Sequence, residues 1–310
     1  MAVYQVFSHP ELRRYKTHVC TKATVLQFLI VLLTFIPPLF VVYRSTGFWQ
    51  REAYFREVPS ITFKKQLLMV LELRNGQYVT WSTYQNYNQL QQEHLRIPAI
   101  KTREEDSNSD GKFDKLILRL EVPLSSDEEV QGVHLLLMFR YKLQKFTTLT
   151  MESMAYLHYQ SAAAGSEMWM VGDIRFKQKQ PIGHKGIDNR YNISVIDSSS
   201  IYAEDFKLTK IFQSYSDRNL ATVVDNSYYV WTAGRGADQP FVISANINYL
   251  EDVYLYTPGF WYLIKWGWVQ YVAVLLIFLF AFDRIKIFIF QNQLVNTMVD
   301  STTKHVNKSL

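Results

Sequence analysis

Gly259 to Gln293 reads GFWYLIKWGWVQYVAVLLIFLFAFDRIKIFIFQNQ. Its centre, Val269 to Phe282, is almost purely apolar and carries no charge. Trp261, Trp266 and Trp268 crowd one end, and Asp283, Arg284 and Lys286 mark the other. A helix here, rising about 1.5 Å per residue, spans a hydrocarbon layer roughly 30 Å thick. A buried helix of a soluble core keeps a polar face; past Gln270 this stretch has none. Aromatic rings favour the headgroup level and basic residues the cytosolic side, so both ends are labelled. The expectation is a transmembrane helix over residues 260–282.

Working outward, charge divides the chain. Residues 44–259 hold 24 Lys+Arg against 25 Asp+Glu, and the remainder holds 9 against 3. The basic excess therefore sits beside the apolar stretches, as membrane topology requires, and no basic patch marks a nucleic-acid partner. Cys20 is the single cysteine and lies in the N-terminal tail, so no disulfide framework exists.

A second apolar run, TVLQFLIVLLTFIPPLFVVY, covers Thr24 to Tyr43 without a charge. It is long enough to span, with Pro37-Pro38 expected to kink or end its hydrogen-bond ladder. A cleaved signal peptide needs a shorter core and a small-x-small site; Tyr43 to Trp49 offers none. No Lys or Arg occupies the twenty residues before Gly259, whereas Arg284 and Lys286 follow the second run. That asymmetry puts residues 283–310 in the cytosol. Two spans return the chain to one side, so residues 1–23 are cytosolic and residues 44–259 are extracellular or lumenal.

The middle reads as strands. Ile61 to Leu73, then Asn75-Gly76, then Tyr78 to Tyr84 is a hairpin signal. Lys115 to Val122 alternates, with Leu116, Leu118, Leu120 and Val122 on one face. Val133–Leu143, Leu149–Tyr159, Met168–Lys179, Tyr191–Ile196, Thr222–Trp231 and Phe241–Tyr256 are further strand candidates. The expected fold is two transmembrane helices flanking a mainly antiparallel, sandwich-like β domain. One amphipathic helix breaks the pattern: Leu208, Ile211, Phe212 and Tyr215 recur at helical spacing after a cap at Asp205. Arg103 to Asp106 reads as a solvated charge run.

Asp106-Ser107-Asn108-Ser109-Asp110-Gly111-Lys112-Phe113-Asp114 places oxygen side chains at positions one, three, five and nine, with Gly at six. That is the first part of a calcium loop. Asp106, Asn108, Asp110 and Asp114 are the candidate side-chain ligands, and Lys112 offers its carbonyl. Ile117 stands where an EF-hand has its closing Glu, and a polar turn between two strands explains the same residues. Asn192-Ile193-Ser194 is an N-glycosylation sequon on the side read as lumenal; Asn307-Lys308-Ser309 falls in the cytosolic tail and should stay bare. Catalysis finds no support. The seven histidines are scattered, with no HExxH, GxSxG, Walker loop or GxGxxG.

The chain also resembles a known family along nearly its whole length. The carrying motifs run in order: FSHP at Phe7–Pro10, IPPL at Ile36–Leu39, GFW at Gly47–Trp49, WST at Trp81–Thr83 and TREED at Thr102–Asp106. Then come QKQP at Gln178–Pro181, RYNISVI at Arg190–Ile196, PGFW at Pro258–Trp261, WVQY at Trp268–Tyr271 and RIKIF from Arg284. On these the chain is identified as similar to the transmembrane protein 231 family. The resemblance implies a two-pass component of the tectonic-like, or Meckel-syndrome, complex at the ciliary transition zone. It implies a diffusion barrier between ciliary and plasma membranes, needed for ciliogenesis and Hedgehog signalling, and no enzyme activity. Its partners would be tectonic and other transition-zone membrane proteins, with membrane lipid around the spans. A reading from another class is a calcium-dependent extracellular binding or receptor-accessory module.

Overall fold

The computed structural model describes residue 6, residues 13–45 and residues 50–301. The motifs at 7–10 and 47–49 and the Asn307 sequon lie outside the described residues. In chain order the elements are β1 (Arg13–Lys16), α1 (Lys22–Arg44), β2 (Ala53–Glu57), β3 (Ser60–Leu73), β4 (Tyr78–Ser82) and α2 (Gln85–Leu90). There follow β5 (Ala99–Glu105), β6 (Lys115–Val122), β7 (Val130–Leu143), β8 (Thr148–Gln178), β9 (Ile187–Asp188) and α3 (Leu208–Ser216). The last are β10 (Leu220–Ala233), β11 (Phe241–Tyr249), β12 (Asp252–Tyr256), α4 (Phe260–Gln291) and β13 (Met298–Ser301). They form two compact units, residues 52–258 and the two chain ends, 1–51 with 259–310.

In the first unit nine strands form one sheet, ordered β4-β3-β7-β8-β11-β6-β5, with β10 and β9 also on β8. β2 and β12 make a separate antiparallel ribbon. The large sheet is mostly antiparallel; β11 and β9 run parallel to β8. The expected sandwich is therefore one continuous sheet folded over. Its reason is β8, 31 residues long. The expected break between Tyr159 and Met168 does not occur, because the small residues there admit a close neighbour. A Cβ on Gly165 would lie 2.3 Å from the Trp231 ring, whose Nε1 donates to the Ala163 carbonyl at 3.0 Å. The two wings share one apolar core, with Phe139 meeting Tyr249 at 6.0 Å and Tyr141 stacking on Phe176 at 5.3 Å between ring centres.

The opposite face of β3, β7 and β8 is covered too. Leu68, Leu136, Met138 and Met154 pack against Tyr87, Phe206, Ile211 and Tyr215. The helix spacing that marked α3 thus finds its target, but its N-cap is Lys207, not Asp205. Asp205 sits in a preceding 3-10 turn, where its carboxylate accepts from the Ser200 hydroxyl. Tyr191–Ile196 is not a strand. Its backbone is satisfied by side chains instead of a ladder: Val195 N–H donates to the buried Glu152 carboxylate at 2.8 Å, and Arg218 donates to the Ile193 carbonyl at 3.4 Å. Arg103–Glu105 belongs to edge strand β5 and not to a solvated loop. Phe241–Tyr256 divides into β11 and β12.

In the second unit α1 runs through Pro37 and Pro38 without ending, to Arg44. By length and composition it is the one helix among the described residues that meets the requirements for crossing a membrane. Its apolar side chains are turned outward, with Phe28 70 % and Phe40 64 % exposed, unlike those of a soluble core helix. α4 extends to Gln291, past the expected exit at residue 282. The two helices pack antiparallel: Leu39 and Gly267 border one groove, and Gln27 and Lys286 another. The Tyr271 hydroxyl donates to the Phe35 carbonyl at 3.2 Å, next to carbonyls that lose their amide partners to the prolines. Within the two tails β1 and β13 pair as an antiparallel ribbon.

Two core positions should respond oppositely. Phe139 is fully buried in the shared core, so Phe139→Ala should cost about 3–5 kcal/mol. Ser153 Oγ is buried without a hydrogen-bond partner, so Ser153→Ala should be neutral or stabilising by up to about 1 kcal/mol. Thermal denaturation of the detergent-solubilised chain reads both.

Candidate functional site

Three places carry polar chemistry. The first is the Asp106–Asp114 loop between β5 and β6. It turns through Ser109 at φ 58 and Gly111 at φ 83, the left-handed region that glycine enters without strain. Its oxygens are brought together, but they face the loop's own amides. The Asp106 carboxylate accepts from Asp110 N–H at 3.2 Å and Gly111 N–H at 2.9 Å. Asn108 Oδ1 accepts from Asp110 N–H at 2.9 Å, and Asp110 from Lys112 N–H at 2.8 Å. Asp114 accepts from Ser107 N–H at 2.7 Å, and the Asn108 amide nitrogen lies between Asp110 and Asp114 at 3.3 and 3.4 Å. The Lys112 ammonium reaches back to the Val58 carbonyl at 2.5 Å. Among the described residues no group of three or more His, Cys, Asp or Glu side chains is arranged to hold a metal ion. The loop closes by its own hydrogen bonds, as a polar turn does.

The second is Asn192. It is exposed on a turn, its N–H donating to the Asn189 carbonyl at 3.0 Å. The strand that would have hidden it is absent. Below it lies a buried knot: Glu152 pairs with Lys64, and Arg218 lies over the Tyr191 and Tyr215 rings at 5.7 and 5.3 Å. Arg218 also donates to the Glu152 carbonyl at 2.9 Å. Desolvation lowers the Arg218 pKa, against smaller opposing pulls from Tyr215, Glu152 and Tyr191.

The third is a cluster that scattered sequence positions concealed. His134 on β7 is directly opposite His158 on β8, with ring centres 4.6 Å apart. His134 Nδ1 is 2.8 Å from the Tyr156 hydroxyl, and its Nε2 is 3.0 Å from the Glu72 carboxylate. Gln160 donates to the other Glu72 oxygen at 3.3 Å. Burial, then Glu72 and Tyr229, raises the Tyr156 pKa. The cluster has a single carboxylate, Glu72, and both its oxygens are engaged, one by His134 and one by Gln160. Only the strand register reveals it; spacing along the chain carries no trace.

The comparisons with known proteins agree in one direction. A family model described as Transmembrane protein 231 matches residues 1–299. The transmembrane protein 231 of Rattus norvegicus is 48 % identical over 300 residues, covering 96 % of this chain and 95 % of its own. That of Homo sapiens is 47 % identical over 305 residues, covering 98 % and 96 %. A proton-activated chloride channel aligns over 86 % of this chain and 98 % of its own at 8 % identity with a TM-score of 0.26, a likeness too slight to bear on fold or function.

Two outcomes follow from these geometries. Asp106→Ala removes the acceptor of the Gly111 amide, while the Asp110 amide keeps Asn108 Oδ1, and should cost about 1 kcal/mol in chelator-containing buffer; a loss seen only with calcium present would make the loop a calcium site. Burial first, then His134, holds the His158 imidazole below the ordinary histidine range, against a smaller upward pull from Glu72. The unfolded chain then binds the proton first, so stability falls as pH drops below about 6.5. His158→Gln should flatten the decline in Tm between pH 7.5 and pH 5.5.

Proposed function

The chain belongs to the transmembrane protein 231 family, a membrane protein family, and we propose that it is a structural component of the tectonic-like complex at the ciliary transition zone. There it contributes to the diffusion barrier between ciliary and plasma membranes, and through it to ciliogenesis and Hedgehog signalling. Its partners are tectonic and other transition-zone membrane proteins. Family membership carries this reading.

Physical chemistry supports the parts of it that concern the membrane. We assign both α1 and α4 as spans. At about 1.5 Å per residue, the 23 residues of α1 reach roughly 35 Å and the 32 of α4 roughly 48 Å. Leu276 and Phe280 of α4 are 60 % and 66 % exposed, which water disfavours and hydrocarbon does not. Both tails are cytosolic and residues 52–258 lie outside or in the lumen, by the one-sided Arg284 and Lys286. A gate component needs a fixed anchor and lateral contact surfaces, and no side chain here is assigned to catalysis.

A tagged chain expressed in ciliated cells should concentrate at the ciliary base and co-purify with tectonic proteins. Uniform plasma-membrane staining overturns the gate. The topology has its own test: Asn192 should carry a glycan removed by peptide-N-glycosidase and absent in Asn192→Gln, whereas a glycan on Asn307 reverses the orientation.

A further inference from the structure

The ends of the helix pair, together with the tail ribbon, build a cleft that the barrier role does not use. It encloses about 630 Å³, with Arg13 and Lys286 at its polar side, Asp283 beside them, and Tyr15 and Phe290 as an aromatic wall. Tyr15 on β1 packs against Phe290 on α4 with ring centres 5.8 Å apart, so the ribbon is fastened to the helix that forms the wall. A second chamber of about 360 Å³ shares Tyr15, Lys286 and Phe290 and adds Thr297, whose hydroxyl is buried with no hydrogen-bond partner. A third, sharing Lys286 and Asp283, continues between α1 and α4 to Phe35 and Leu279. The series thus passes from Arg13, Lys286 and a hydroxyl to a mainly apolar wall of Ile30, Val31, Phe35, Leu279 and Phe282, with Gln27 and Thr34 set among them.

The charges here are unequally matched. Lys16 is neutralised by Asp300 at 2.6 Å, and Arg284 lies over the Phe280 ring at 5.3 Å. Lys286 has no ion-pair partner among the described residues, although three chambers border it. An unmatched cation beside an unpaired hydroxyl calls for an anion with acceptor oxygens. The apolar continuation calls for that anion to carry a hydrocarbon chain.

We infer that this cleft binds the phosphate headgroup of an anionic phospholipid, with Arg13 and Lys286 on the phosphate, Thr297 donating its hydroxyl, and an acyl chain lying between α1 and α4. The inference places the cleft in the leaflet facing the tails, and so rests on both helices spanning. Phosphoinositides, with phosphate monoesters, suit a cleft lined by Arg13 and Lys286 best.

The full chain is reconstituted in nanodiscs of phosphatidylcholine with a small fraction of phosphatidylinositol bisphosphate, and retained lipid is read by native mass spectrometry. Nanodiscs expose both leaflets, so binding is read whichever way the chain sits in a cell, and the glycan mapping above reports that separately. Two cations at a lipid surface predict enrichment of the phosphoinositide by about tenfold or more. Arg13→Gln with Lys286→Gln should abolish it, Lys286→Arg should keep it, and Arg14→Gln, outside the cleft lining, should keep it. Equal retention of both lipids, or enrichment surviving the double variant, overturns the inference. Full competition by the soluble inositol phosphate headgroup would make the ligand a free anion and overturn the lipid.

Discussion

Backbone pairing along β8 is the constraint on which the β unit depends. A strand has two edges, and 31 residues of ladder must be matched on both or left to water. β8 solves this by changing partners along its length. Leu149–Gln160 pairs with β7, and Glu167–Ile174 lies between antiparallel β10 and parallel β11. Because each partner carries further strands, the two halves of β8 head two wings of one sheet. Folding those wings together buries Leu135, Leu137 and Phe139 of one with Ile243, Ala245 and Ile247 of the other. The parallel β8–β11 pair explains why a long route through α3 and β10 separates them in sequence: a parallel neighbour requires a crossover and cannot be reached by a tight turn.

The same strand dictates where polar groups are buried. Over Leu149–Leu157 both faces of β8 are covered, one by the shared core and one by α3 and its preceding turns. Glu152 falls in this doubly covered stretch at 6 % exposure. A buried carboxylate is costly unless paired and hydrogen-bonded. Lys64 supplies the charge and the Val195 amide a further bond. That requirement explains the non-strand course of residues 191–196, since the segment exists to satisfy Glu152 and to place Val195 and Ile196 under α3. Exposure of Asn192 is a by-product of this geometry, because the turn that brings Val195 inward leaves residues 192–194 outward.

Local rules were readable where a single period dominated. The alternation at Lys115–Val122 puts Leu116, Leu118, Leu120 and Val122 inside, and Asn75-Gly76 closes the β3–β4 hairpin with Gly76 at φ 76. The α3 face was readable for the same reason. Illegible features all depend on what lies opposite. Ala162 to Ser166 looks like a break until Trp231 is seen to fill the space above Gly165. Asp205 looks like a cap until Ser200 and Lys210 claim its carboxylate. His134 and His158 lie 24 positions apart, and only register unites them. At the Asp106 loop the motif was legible, and the partners of its oxygens were not: oxygens spaced for a cation also suit amides of a turn, and Asp106, Asn108, Asp110 and Asp114 each accept from a loop amide.

The tail ribbon shows how far a helix pair can be specified by its ends. Pro37 and Pro38 remove amide donors from α1, and apolar packing between two helices is non-directional. Directional bonds must therefore hold the register. Tyr271 to the Phe35 carbonyl supplies one inside the pair. At the far end four antiparallel residue pairs join β1 to β13, from Arg13 with Ser301 to Lys16 with Met298. Each chain end is thereby tied to the other, and α4 must extend beyond residue 282 to reach the ribbon. The extra turns from Asp283 to Gln291 carry Lys286 and Phe290 on the side that meets Tyr15. Lys286, one of the charges that close the apolar run, also lines a cleft, and the helix length follows from the need to place it against the ribbon.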